Sequence, residues 1–306
     1  MLNYEFIDPE EQINSEDFQF VESFLKSTGR TQLGWHYITD ISWIYSKVKQ
    51  WPKGFKILDA GGGLGPIQFL LAEMGFDVTN IDLSLSAPPN VYRHRYQTQL
   101  KTLPSFVPTS YREFLSSSHL KSKVASQVKK WVKSSPVYQF WISQKYITRH
   151  ERWRSAMGLS DNPLGQIQWY IANLCDMPEI PSCYFDAVVS LSSLEHIPDN
   201  LLDQALAEIC RVLKPDAYWA ITTSGTEEAS TWFHEPSQGY CFSVSDLQSR
   251  FRANALKGQN PEIILSRYRE CSYLKNNLAD FYKKTGKFGM PWGIWDPKYI
   301  PVGITQ

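Results

Sequence analysis

No Cys-x-x-Cys pair occurs in the 306 residues, and the five cysteines, Cys175, Cys183, Cys210, Cys241 and Cys271, are odd in number and scattered. Neither a disulfide framework nor a zinc site is therefore suggested; no metal is expected. No apolar run approaches the roughly 20 residues that a membrane-spanning helix needs. The opening MLNYEFIDPEEQINSEDF is acidic and lacks the basic-then-apolar pattern of a secretory leader. The expected compartment is the cytoplasm. Repeats and low-complexity tracts are missing too. Net charge is zero, with 31 Lys and Arg against 31 Asp and Glu.

The balance hides an asymmetry. From Arg93 to Arg154 there are thirteen Lys or Arg and two acids, Glu113 and Glu151, which leaves 18 basic and 29 acidic residues elsewhere. The middle of the chain is a separate surface. Hydrophobic residues at 42% and charged residues at 20% fit a globular chain long enough to bury a core without staples. Eleven Trp, 16 Tyr and 16 Phe point either to an aromatic-lined pocket or to ordinary core packing.

From Phe55 the pattern alternates between short apolar runs and helical stretches. FKILDA reads as a buried strand that ends at three glycines, GPIQFLLAEMG as a helix that stops at Gly75, and FDVTNIDLS as a second strand ending at Asp82. That is a parallel crossover unit. The pattern breaks from Ser84 to about Gln166 and resumes at IQWYIANLCDMP, a third strand. A fourth runs from Phe185 to Leu191, and AYWAITTS is a fifth. Between them, Leu202, Leu206, Ile209 and Leu213 share one face of a helix that ends at Pro215. Farther on, SVSDLQSRF reads as a helix capped by Ser243 or Ser245, and PEIILSRY and YIPVGIT as strands. The sum is an α/β chain with a doubly wound sheet. Ligands of such sheets sit at the carboxyl ends of the strands.

Asp59, Gly61, Gly63 and Gly65 form D-x-G-x-G-x-G between a strand and a helix. The dinucleotide fingerprint G-x-G-x-x-G fits poorly, because Pro66 stands where its third glycine belongs. Alone, the turn is either a ligand cradle or a tight bend. Asp82 at the next strand end either accepts the hydroxyls of a ribose or caps the following element. Asp176 either accepts from an adenine amino group, with Met177 against the base, or forms a turn before Pro178.

In order, ILDAGGGLG, NIDLS, CDMPEIPSCYFDAVVSLSSLEHIPD and ALAEICRVLKPDAYWAITT resemble the motif series of class I S-adenosylmethionine-dependent methyltransferases, most of all the small-molecule, methyltransferase type 11-like branch. The resemblance spans about Phe55 to Thr223. It implies a Rossmann-like seven-stranded sheet with helices on both faces, and S-adenosylmethionine as cofactor. It further implies that Asp59, Ala60, Gly61, Gly62, Gly63 and Gly65 hold the methionine part and that Asp82, with Leu83 beside it, binds the ribose. Asp176 and Met177 would frame the adenine, and Ser190 would face the transferring methyl. Related enzymes cover the cofactor with a helix before the first motif, so that Trp35, His36 and Tyr37 either close over it, Tyr37 at the carboxylate end, or belong to a helix that only caps the sheet. Residues 1–54 are then a helical cap, 55–83 and 167–306 the core, and 84–166 a helical insert. Two departures stand out: Asp216 and Ala217 replace the usual two glycines after LKP, and the insert follows Asp82 where the family needs a short helix.

Methyl transfer is a displacement at carbon in which the enzyme aligns a nucleophile and, for a hydroxyl or amine, takes its proton. His196 and His234 are the candidate bases. Each is otherwise a packing or capping histidine, and a carboxylic acid acceptor would need no base. In HLKSKVASQVKKWVK, Leu120, Val124, Val128 and Trp131 or Val132 share a face ringed by lysines. This helix is expected to be a lid, to rest on an anionic membrane, or to dock an acidic carrier protein; nucleic acid is disfavoured by the acidic remainder. The expectation is a methyltransferase acting on a small or medium-sized, partly apolar acceptor, with O-methylation favoured. A binding protein that retains the fold is the alternative.

Overall fold

The computed structural model describes residues 1–83, 95–96, 99–102, 105–109 and 136–306. In chain order the strands are β1 (Leu2–Phe6), β2 (Lys56–Ala60), β3 (Asp77–Asp82), β4 (Gln99–Thr102), β5 (Ser105–Thr109), β6 (Ile167–Ile171), β7 (Phe185–Leu191), β8 (Leu213–Gly225), β9 (Trp232–His234), β10 (Gly239–Cys241), β11 (Ala253–Ala255) and β12 (Ile300–Thr305). The helices are α1 (Pro9–Ile13), α2 (Glu16–Thr28), α3 (Tyr37–Val48), α4 (Ile67–Glu73), α5 (Pro136–Ala156), α6 (Asp199–Val212), α7 (Val244–Ser249), α8 (Pro261–Glu270), α9 (Ser272–Asn276) and α10 (Asp280–Lys283).

Ten strands form one sheet in the order β11-β1-β12-β8-β7-β2-β3-β6-β4-β5. β6, β3, β2, β7 and β8 run parallel, and β12 is antiparallel to β8. Alternation along β2 shows why such strands are apolar throughout. Ile57 joins the core on one face with Ile41, Ile44 and Phe69, whereas Leu58 joins the core on the other with Leu202, Leu206 and Ile209. Both faces are covered by helices, so neither side of the strand meets water. The Rossmann-like α/β architecture is as the sequence indicates.

Several elements depart from the sequence reading. The sheet has ten strands rather than seven. Residues 1–54 are not wholly helical: Leu2–Phe6 is a strand between β12 and β11, with Tyr4 and Phe6 buried in the core. Residues 84–166 are not wholly helical either, because β4 pairs with β6 and β5 with β4, extending the sheet. PEIILSRY is helix, not strand. Asn260 caps it by accepting from Glu262 and Ile263, and Pro261 stands at the first helical position, where its missing N–H costs nothing. Ser243, not Ser245, caps α7. The helix read to end at Pro215 stops at Val212, and the departure at Asp216–Ala217 falls in β8, whose register with β7 jumps from Phe185–Leu213 to Ala187–Tyr218. The amphipathic stretch 119–133 lies outside the described residues. Among the described residues no helix is long and apolar enough to cross a membrane.

Candidate active site

The β2–α4 turn rises from the sheet at the carboxyl ends of the parallel strands. Gly61 has φ 71°, and a β-carbon there would lie 1.7 Å from Ser193 Oγ. At Gly62 a β-carbon would lie 2.0 Å from Asp59 Oδ2. The glycines are therefore required by contact with the protein's own side chains, not only by a ligand. Side chains fasten the turn from below. Asn80 Nδ2 donates to Asp59 Oδ2 and to the Gly63 carbonyl, both at 3.1 Å. Gln68 Nε2 donates to the carbonyls of Gly63 and Gly65, and Trp169 Nε1 donates to Gln68 Oε1. The Gly63 N–H donates to Asp82 Oδ2 at 3.0 Å.

Above the turn lies a cavity of about 550 Å³, within the roughly 300–1,000 Å³ usual for small-molecule sites. Tyr37, Gly61, Gly62, Gly65, Asp82, Leu83 and His196 line it, together with Ala172, Asn173, Leu174, Cys175, Leu191, Ser192, Ser193, Ile197, Pro198 and Leu201. One carboxylate, Asp82, stands on a wall that is otherwise mostly apolar.

Other residues singled out from the sequence lie elsewhere. Asp59 is fully buried beneath Gly62, not on the wall. Burial and the neighbouring Asp82 push its pKa up to about 7, against the hydrogen bond from Asn80. Its Oδ1 has no hydrogen-bond partner among the described residues. Ala60 and Gly63 do not line the cavity. Ser190 is buried and its Oγ donates to the Ala60 carbonyl at 2.8 Å, so it staples β7 to β2 instead of facing a ligand. Met177 packs in the core with its N–H on Glu208. Asp176 is exposed at the end of a turn, its N–H on the Asn173 carbonyl. Asn173 and Leu174 occupy the position expected of Asp176 and Met177. The signal was register: Ile171 is level with Asp82, so the cavity wall must start one or two residues beyond Ile171.

The two histidines separate clearly. His234 is 7% exposed, outside the cavity wall, with Nδ1 2.7 Å from Ser237 Oγ. Burial, and then Lys298, push its pKa down. His196 is on the wall, and its Nδ1 is 2.8 Å from the Gln238 carbonyl oxygen. A carbonyl can only accept, so Nδ1 carries the hydrogen and the neutral ring keeps its Nε2 lone pair. The β9–β10 hairpin clamps this ring, since a β-carbon on Gly239 would come within 3.2 Å of it. Behind it, Glu195 is buried and accepts from Thr223 Oγ1 and Ser224 Oγ; burial raises its pKa, with His196 opposing.

At the cavity rim Ser192 adopts φ 44°, a left-handed conformation that few residues other than glycine take. It is held there by its N–H to Thr222 Oγ1 and its Oγ to Asp40 Oδ2 at 2.7 Å. Asp40 also meets His36 Nδ1 at 2.9 Å. This buried chain joins the start of α3, and hence Tyr37, to the end of β7. Burial, then Glu195 and Asp40, push the Tyr37 pKa above its usual value.

A family model described as a methyltransferase domain matches residues 35–262. The chain belongs to the S-adenosylmethionine-dependent methyltransferases. Among proteins of curated function, none matches this methyltransferase. Solved structures that resemble it include the [4+2]-cyclase SpnF, at 15% identity and TM-score 0.48, covering 99% of this chain and 97% of that one. Another is the Burkholderia thailandensis 1,6-didemethyltoxoflavin-N1-methyltransferase bound to 1,6-didemethyltoxoflavin and S-adenosylhomocysteine, at 12% identity and TM-score 0.44, covering 97% and 89%. A third is the geranyl diphosphate C-methyltransferase of Streptomyces coelicolor A3(2), at 12% identity and TM-score 0.39, covering 87% and 73%. At such similarity these neighbours say nothing of the methyltransferase's acceptor.

Proposed function

We propose that the protein transfers the methyl of S-adenosylmethionine to a hydroxyl oxygen of a small or medium-sized, partly apolar acceptor, with His196 as general base. The observation that carries the reading is the His196 Nδ1–Gln238 hydrogen bond, which leaves Nε2 as an acceptor on the cavity wall. The cavity suits the cofactor: Asp82 offers a carboxylate to ribose hydroxyls, Asn173 and Leu174 offer an amide and an apolar face to a base, and the glycine turn leaves room for close approach. When bound, S-adenosylmethionine supplies a methyl made electrophilic by its sulfonium. The chain's work is to align the acceptor and to hold a base where the hydroxyl loses its proton. Tyr37 and His196 both line this cavity and bound the space for the acceptor. All five cysteines are free, which fits a reducing, cytoplasmic setting.

Calorimetric titration with S-adenosylmethionine, followed by turnover over phenols, alcohols, amines and carboxylic acids, tests the reading. His196→Ala should lower kcat by about 10²–10⁴ while leaving cofactor affinity unchanged. Full activity in that variant, or turnover confined to carboxylic acids, would remove His196 as base.

A further inference from the structure

On the far side of α10 the chain forms an exposed loop, 284–295. From Phe281 to Trp295 the sequence holds three lysines, five aromatic residues and no acid. Phe288, Trp292 and Ile294 are 47%, 66% and 64% exposed. They are fixed in place rather than carried on slack chain. The Trp292 N–H donates to the Thr285 carbonyl at 2.9 Å and closes the loop. Met290, buried inside it, anchors the middle, and Trp295 Nε1 donates to the Arg269 carbonyl. The Phe288 ring meets the Phe281 ring edge-on at 5.6 Å. Phe288 and Trp292 hold φ of 69° and 59°, left-handed values that a β-carbon disfavours. The backbone thus adopts a disfavoured conformation at two of the three large side chains that it presents to solvent.

The charges within the loop, Lys284 and Lys287, share one sign. Lys284 and Lys287 are exposed and make no ion pair among the described residues. Lys283 lies 3.4 Å from Asp280, and Lys298 lies 2.7 Å from Asp296; these two acids flank the loop.

We propose that loop 284–295 docks on an anionic lipid surface. Exposed Trp and Phe beside an aliphatic side chain suit the headgroup boundary of a bilayer, where amphipathic rings collect. Unpaired lysines beside them meet lipid phosphates. A second copy of this chain is a poorer occupant, because it would bring lysines against lysines. The inference does not depend on the acceptor or on His196. It also concerns a different segment of the chain from the basic stretch 119–133.

Sedimentation of the whole protein with vesicles of phosphatidylcholine, alone or mixed with phosphatidylglycerol, tests it. Binding should require phosphatidylglycerol and weaken with salt. Two double variants separate the contributions: Trp292→Asn with Ile294→Ser, in which asparagine tolerates the left-handed backbone, and Lys284→Glu with Lys287→Glu. Each should weaken vesicle binding about tenfold or more with the thermal midpoint and S-adenosylmethionine affinity unchanged. Three outcomes would overturn the proposal: no binding by the native protein, binding that neither variant weakens, or a solution dimer that the Trp292 and Ile294 variant dissolves.

Discussion

Asp59→Asn should stabilise the protein increasingly as pH rises. The carboxyl is wholly buried under Gly62, and its pKa stands at about 7 in place of 3.8. At about 1.4 kcal/mol per pH unit, that displacement is worth about 4 kcal/mol. The folded value lies above the unfolded one, so the native state binds this proton more tightly. The group therefore costs nothing below the unfolded pKa, costs progressively more from about pH 4 to 7, and a constant amount above. Asparagine keeps the shape and the acceptor for Asn80 Nδ2, and it never ionises. Urea melts of both proteins at pH 5 and pH 8 should show the variant gaining about 2–3 kcal/mol on the native protein between those two pH values. Parallel behaviour would refute the buried-acid account, as it would mean that Asp59 is already ionised at pH 5. The same account predicts proton release near pH 7 when a cation enters the cavity, because the cation favours the ionised carboxyl. Titration of S-adenosylmethionine in two buffers of different ionisation enthalpy reads that release, and the Asp59→Asn variant should abolish it.

Asp82→Ala should raise the S-adenosylmethionine Kd about 10–100-fold, the worth of a charged hydrogen bond in a partly buried site; unchanged calorimetric affinity would displace the ribose from this carboxylate. Glu73→Gln should destabilise the fold by about 3–5 kcal/mol. Glu73 is 0% exposed and accepts from Arg95, Tyr96, His150 and Arg154 at 2.5–2.8 Å. Burial pushes its pKa up, but His150 and Arg95 hold it well below the carboxylate range. The glutamine leaves Arg95 and Arg154 buried beside a neutral amide, so a thermal midpoint within a degree of the native one would sink the prediction.

The half of the site made by consecutive residues was legible in the sequence. Strand β2 ends where FKILDA ends, the glycines follow, and Asp82 closes β3, because apolar runs, glycines and a terminal acid each leave a local mark. Asn173 was missed for Asp176 because an acid draws the eye, whereas the decisive fact was the pairing of Ile171 with Asp82. Pairing is not written in either strand alone. Leu2–Phe6 was missed for a similar reason. Its alternation is short, and its place between β12 and β11 depends on partners about 250 to 300 residues away. PEIILSRY was misread although Asn260 and Pro261 carry a helix-start signal, because Ile263, Ile264 and Leu265 suggest a strand by composition.

The cavity rim is of the other kind. Its shape depends on His36, Asp40 and Ser192, which stand at the start of α3 and just past β7 and meet only in the folded chain. Asp40 lies in YITDISW, a stretch whose pattern shows nothing more than an amphipathic helix, and Ser192 shows nothing unusual until its backbone is seen in the left-handed region. The two histidines make the same point. His234 precedes a carboxylate, Glu235, in the sequence, yet its ring turns inward to Ser237. His196 follows a buried carboxylate, Glu195, and is oriented by a carbonyl 42 residues away. Which nitrogen of a histidine stays free is set by what holds the other, and for His196 that partner comes from a hairpin. Replacing Gly239 should therefore disturb turnover more than cofactor binding, since a side chain there would push the hairpin off His196 while leaving the glycine turn and Asp82 untouched.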